Sequence, residues 1–278
     1  RLVGSEMCIR DRSTAWAIAG RRTPANWRNS FYKEGMVRKY TYGALALMFA
    51  AFGCQAEITE AQIKADCAKI SSYAKQGETF YSAKNYPKAR EAFEQQAAWL
   101  EQCEFGKNDP NDVLIATAYN NVALTWIRQG EYRKAQAWLT IMPDDEKSKY
   151  NLSRIQDKLD ALPKPTSPAG EYWQYSGRSG FQTLKLTSQG NDTYKADWEG
   201  AYYGLMGLYS GPNIGEFSEK VTLKAGKGDI VISDLGTTCK ISLALSPDGK
   251  SLAMKTDNID NCAFGHNVSA DGTYLRVN

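Results

Sequence analysis

Two periodicities divide the chain. From Thr59 to about Leu162, apolar residues return every three or four positions, the spacing that lines one face of a helix. Beyond residue 170 the pattern shortens to alternating runs separated by turn sequences, the spacing of half-buried strands. Between the two lies Pro163-Lys164-Pro165-Thr166-Ser167-Pro168-Ala169-Gly170, a stiff proline-rich linker over 163–170. A third pattern stands apart: the unbroken apolar run from Ala44 to Phe52 is too short to span a bilayer.

Within the helical stretch, Asn85-Tyr86-Pro87 predicts a turn, and residues 105–112 predict a loop ending in a helix cap. A last helix within 144–162 presents Leu152, Ile155, Leu159 and Leu162 on one side, as a capping element does. In the second half, strands are predicted over 171–176, 181–187, 193–199, 202–208, 216–223, 229–233, 239–245, 251–256 and 273–277. Gln189-Gly190-Asn191, Ala225 to Gly228, Pro247-Asp248-Gly249 and Asp271-Gly272 supply the turns. The class predicted is α+β: helical hairpins over 57–162, then a small antiparallel barrel or sandwich over 171–278. A barrel is favoured because it closes its own edges.

The short apolar run has a meaning of its own. Over 36–56, a basic start (Arg38, Lys39) precedes the run and small residues come after it, the order of a secretory signal peptide. Such signals work at a nascent N-terminus, which predicts a start at Met36 and export to the periplasm or outer envelope of a bacterium. Upstream, Arg1 to Arg12 (RLVGSEMCIRDR) resembles the in-frame translation of a sequencing-library adaptor, and 1–35 as a whole reads as non-native leader. Setting 1–56 aside reverses the charge. Of 34 Lys+Arg and 31 Asp+Glu, nine and three lie there, leaving 25 basic against 28 acidic groups. A faintly acidic remainder without a basic stripe is a poor candidate for binding nucleic acid.

Cysteine parity respects the same boundary. Cys8 falls in the leader. Cys54 is removed from the count either by cleavage after Ala56 or by lipidation, since Ala51-Phe52-Gly53-Cys54 resembles a bacterial lipobox in which Gly53 fits and Ala51 and Phe52 depart. Four cysteines then remain to pair. Cys67 and Cys103 lie 18 residues either side of Asn85, so two antiparallel helices folded there bring them level. Cys239 and Cys262 flank the hairpin turning at Ser246 to Gly249. Each bridge stabilises by roughly 2–4 kcal/mol. No CxxC motif points to zinc or redox chemistry.

Two helical units share a pattern: Gly77, Phe80, Tyr86, Ala89 and Phe93 in the first, Ala123, Trp126, Tyr132, Ala135 and Leu139 in the second. This resembles the tetratricopeptide repeat, with GETFYSAKNYPKAREAFEQ as the better copy. The offset from Tyr86 to Tyr132 is 46 residues, beyond the usual ~34, with the excess between Cys103 and Asp112. The resemblance implies a scaffold that binds a protein or peptide on the inner face of each pair's first helix. It nominates Tyr81 from the first unit and Asn120, Asn121 and Arg128 from the second, whose amides and guanidinium suit a peptide backbone or carboxylate. A solvated face, or docking against the C-terminal half, is the alternative.

In the β half, Trp198, Tyr202, Tyr203 and Tyr209 form an aromatic cluster broken by Gly200, Gly204 and Gly207. It reads either as a partner surface or as filling for the barrel and its mouth. The outline is similar to that of small exported lysozyme-inhibitor barrels, without their signature motifs, so a second reading is inhibition of a cell-wall hydrolase through the β half.

Chemistry is sparse. His266 is the one histidine and reads as a structural turn residue. Asp257 to Asn261 lacks the Gly and bidentate Glu of a calcium loop. The expectation is a non-enzyme with no cofactor or metal, a protein or peptide partner, and membrane association only through Cys54. A hydrolase using carboxylates near the aromatic cluster is the enzymatic alternative.

Overall fold

The computed structural model describes residues 58–234 and 236–278; the segments expected to be leader and export signal, with Cys54, lie outside the described residues. Six helices come first: α1 (Glu60–Cys67), α2 (Ile70–Ser82), α3 (Tyr86–Glu104), α4 (Asp112–Arg128), α5 (Tyr132–Leu139) and α6 (Glu146–Asp160). Their starts reflect capping chemistry. The side chains of Thr59, Asn85, Asn111 and Asp145 accept from backbone N–H groups in the first turns of α1, α3, α4 and α6. Pro87 stands in the first turn of α3, where no N–H is needed.

Small residues let these helices approach. Ala89, Ala97, Ala118, Ala123 and Ala135 are fully buried, and Phe93, Tyr119, Trp138 and Leu139 fill the space between. The closest approach is at Gly77, where a Cβ would come within 2.3 Å of the Phe93 ring. Cys67 and Cys103 are joined, tying α1 to the end of α3 with Cα atoms 6.0 Å apart.

The β half is an eight-stranded antiparallel sheet, β1 (Gly170–Gly177), β2 (Gly180–Gly190), β3 (Thr193–Tyr202), β4 (Asn213–Thr222), β5 (Lys227–Asp234), β6 (Thr237–Leu245), β7 (Ser251–Thr256) and β8 (Gly272–Arg276). Its order, β4-β3-β2-β1-β8-β7-β6-β5, curls it into a nearly closed barrel. β4 and β5 face one another across the remaining seam, joined by the turn after Leu223. Inside are Tyr172, Leu184, Trp198, Ile230, Ile241, Leu252 and Tyr274. Burial of polar atoms is compensated: the Trp198 indole donates to the Tyr274 hydroxyl at 2.9 Å, which donates to the Ala270 carbonyl at 3.0 Å. Phe264 lies against Trp198 (centroids 4.9 Å apart), and Cys262 is bonded to Cys239.

One expected strand is corrected. Residues 202–208 do not form a ninth strand: Tyr202 ends β3, and the chain then crosses to β4 through the short helix α7 (Gly207–Ser210). The reason is register. β3 and β4 pair up to Tyr202 with Asn213, so the chain between them must turn, and the Gly204 carbonyl accepts from the Gly207 N–H at 3.1 Å.

The two halves pack together through the β1–β2 hairpin. Outward-facing Trp173, Tyr175 and Phe181 meet Tyr119, Trp126 and Trp138, with Trp138 and Phe181 edge to face at 5.1 Å. The hairpin tip carries Arg178 and Ser179 at φ +51° and +61°, an uncommon pair of left-handed non-glycine residues. Their N–H groups donate to the Glu101 carboxylate at 2.8 and 3.3 Å, so α3 holds the strained turn. Tyr175 also donates its hydroxyl to Glu101, and the Arg178 guanidinium lies 3.8 Å from it.

Candidate functional site

Three of the four helical nominees come together. Tyr81 on α2 accepts a hydrogen bond from Arg128 Nε at the end of α4 (2.7 Å). Beside this pair, Tyr81, Ser82, Glu78, Phe93, Asn121 and Leu124 line a concavity of about 160 Å³. Three helices build it: α2 supplies the wall that Gly77 allows to sit close, α3 supplies the Phe93 floor, and α4 supplies Asn121 and Leu124 one turn apart. The lining is apolar with an amide, a hydroxyl and a carboxylate at its edge, and a guanidinium adjoining. That combination suits an apolar side chain flanked by hydrogen-bonding main chain.

The barrel does not occupy this concavity. It covers the side of α4 that bears Tyr119 and Trp126, and every lining residue comes from α2, α3 or α4. The linker runs elsewhere, with the Pro163 carbonyl accepting from Arg133 at 2.9 Å.

Asn120 is placed differently from its neighbour. It is 3% exposed, donating to the Ala116 carbonyl (2.8 Å) and Ser148 Oγ (2.9 Å) and accepting from Asn151 (2.7 Å). It joins α4 to α6 inside the fold and offers nothing to a ligand. The aromatic cluster also divides. Trp198 is core, at 1% exposure. Tyr203 packs over Gly180 and Gly207, with its phenol pushed up by burial, and Tyr202 remains exposed at the rim. Tyr209 reaches the helices, stacking edge-on against Trp99 and donating to Asp66 at 3.1 Å.

The titratable groups are mostly tied into the fold. Burial works to raise Asp66, yet hydrogen bonds from Lys69, Gln62 and Tyr209 hold it below the ordinary carboxylate range; Tyr209 is in turn pushed up to about 12 by burial and by Asp66. Burial and then the Glu101 charge push Tyr175 far up. Glu94, half-buried on α3, is lifted to about 7 by burial, against the pull of Arg90. Among the described residues no group of three His, Cys, Asp or Glu side chains is placed to hold a metal ion.

The Glu101 clamp escaped the sequence reading, although a signal exists: Tyr172, Trp173 and Tyr175 put aromatics on both faces of β1, more than a single core requires. Compared with protein-family models, with curated proteins and with solved structures, the chain matches none.

Proposed function

We propose that this is a non-enzymatic exported bacterial envelope protein whose helical half, built of tetratricopeptide-like units, binds another protein or a peptide. The observation that carries the reading is the open concavity of Tyr81, Asn121 and Leu124 beside Arg128. Two disulfides are consistent with an oxidising compartment, as export through a signal over 36–56 requires. In this reading Cys54 is either removed with the signal or carries a lipid. The test is a site-specific crosslink: a photoreactive residue at Asn121 in the full chain should trap a defined partner in the envelope. Tyr81→Ala and Arg128→Glu should abolish the adduct, and Tyr202→Ala should leave it. An adduct insensitive to the first two removes the proposal.

A second reading, inhibition of a cell-wall hydrolase by the β half, draws on the barrel mouth, where Leu205 and Ile214 are 60% and 67% exposed. It predicts inhibition of lysozyme by the full chain that Leu205→Asp relieves. Unaltered lysozyme activity across lysozyme types ends it.

A further inference from the structure

Where the linker passes between α5, α6 and the end of β8, cationic side chains gather, among the described residues, beside a single carboxylate side chain, Asp160. Arg133 from α5 and Arg276 from β8 both donate to the main-chain oxygen of Asn278, Arg276 Nε at 3.1 Å. Arg133 reaches the Pro163 carbonyl at 2.9 Å. Arg276 reaches the carbonyls of Ser167 (3.0 Å) and Ala169. Main-chain oxygens thus fix the orientation of both guanidiniums, and among the described residues neither pairs with a carboxylate side chain. Burial, and then the Arg276 charge, make Arg133 a weaker base than an ordinary guanidinium.

Lys164 and Lys250 complete the lining of a cavity of about 240 Å³ beside this pair. Its only lining carboxylate among the described residues is Asp160, which accepts from Gln156 at 2.9 Å. Four cationic side chains thus face one carboxylate side chain in a space larger than a phosphate group. Holding like charges together in a partly desolvated site is unfavourable unless an anion joins them. Two flexible ammonium groups, with the guanidinium N–H groups that the main-chain oxygens leave free, match the oxygens of a phosphate.

We propose that the cavity formed by Arg133, Arg276, Lys164 and Lys250 binds a phosphate-type oxyanion, as the free ion or as the headgroup of an anionic lipid. The site joins helical half, linker and barrel, so an occupant ties the three together. It does not depend on the partner-binding reading.

Titration calorimetry of the full chain with inorganic phosphate, at ionic strength held constant with sodium chloride, should show saturable binding. Arg133→Gln should weaken it about tenfold or more. Because Arg133 also holds main-chain oxygens, Lys164→Gln with Lys250→Gln is the cleaner variant: binding should weaken while the melting temperature without phosphate stays unchanged. Sedimentation with phosphatidylglycerol vesicles separates the sources: a chain carried down through Lys164 and Lys250 points to a headgroup, and one left in solution while phosphate binds points to the free ion. The same titration on a chain carrying a short glycine tail after Asn278 removes any terminal charge facing the two guanidiniums. Binding in both forms supports the proposal. Binding in the tailed form alone assigns the anion to the chain itself and overturns a separate ligand. Absence of binding to phosphate and vesicles alike, or binding indifferent to all variants, overturns it too.

Discussion

On one side of α4, Tyr119 and Trp126 are covered by aromatic residues of the β half; on the other, Asn121, Leu124 and Arg128 border an open concavity. Both sides are rich in aromatic and amphipathic groups, and both have the chemistry to bind something. What separates them is Glu101. A carboxylate that accepts from Tyr175, Arg178 N–H and Ser179 N–H makes the closed side depend on one intramolecular partner. The open side has no such polar lock: Arg128 and Tyr81 satisfy one another and leave the concavity uncovered. A surface becomes an internal interface when its polar groups are completed by the same chain, and stays a binding face when they are not.

The difference can be broken most severely at its centre. Glu101→Ala leaves two backbone donors without their acceptor and the buried Arg178 guanidinium without its carboxylate; a loss of about 3–5 kcal/mol is expected in urea unfolding, with altered tryptophan fluorescence as the halves loosen. On the open side the most damaging change is at its base. Gly77→Ala drives a Cβ into Phe93, which should cost about 1–3 kcal/mol and distort the concavity, measured as a lower melting temperature.

Glu94 sharpens the comparison through pH. Its carboxyl titrates near 7 in the folded chain against an ordinary 4.5, so the folded state keeps a proton that the unfolded state releases. Stability should therefore be highest in this respect below pH ~4.5 and fall as pH rises through ~7, by about 1–3 kcal/mol. Glu94→Gln should flatten that slope in unfolding curves taken from pH 5 to 8. The smallest effect on the fold belongs to the open side: Arg128→Ala should alter stability by under ~0.5 kcal/mol, in urea unfolding, while removing the crosslinked adduct.

Much of this architecture is legible in the sequence because local rules agree with the global fold. Asn85, Asn111 and Asp145 cap their helices, the turns at Gly190, Gly249 and Gly272 separate the strands on either side of them, and both cysteine pairs close within their own halves. Periodicity reports which residues are buried but not against what. Asn120 and Asn121 are adjacent in sequence, yet one hydrogen-bonds into α6 and the other lines the concavity, a distinction set by a helix nearly thirty residues away. The Glu101 clamp joins side chains 74 or more residues apart, and no local pattern at Glu101 distinguishes it from a solvated helix face. The 202–208 segment misleads because its tyrosines favour strands, whereas the register of β3 against β4 leaves it nothing to pair with.

The strand order has a consequence for how the molecule is made. β1 is hydrogen-bonded to β8, Tyr172 opposite Arg276, so the wall of the barrel waits for β8 to emerge. The helices, their disulfide and the β1–β2 hairpin all precede that moment and are complete among themselves. As the chain emerges vectorially, the hairpin can seat on α3 while six strands are still to come, offering the growing sheet a fixed edge to assemble on. In that order the docked hairpin is available to the barrel as a template.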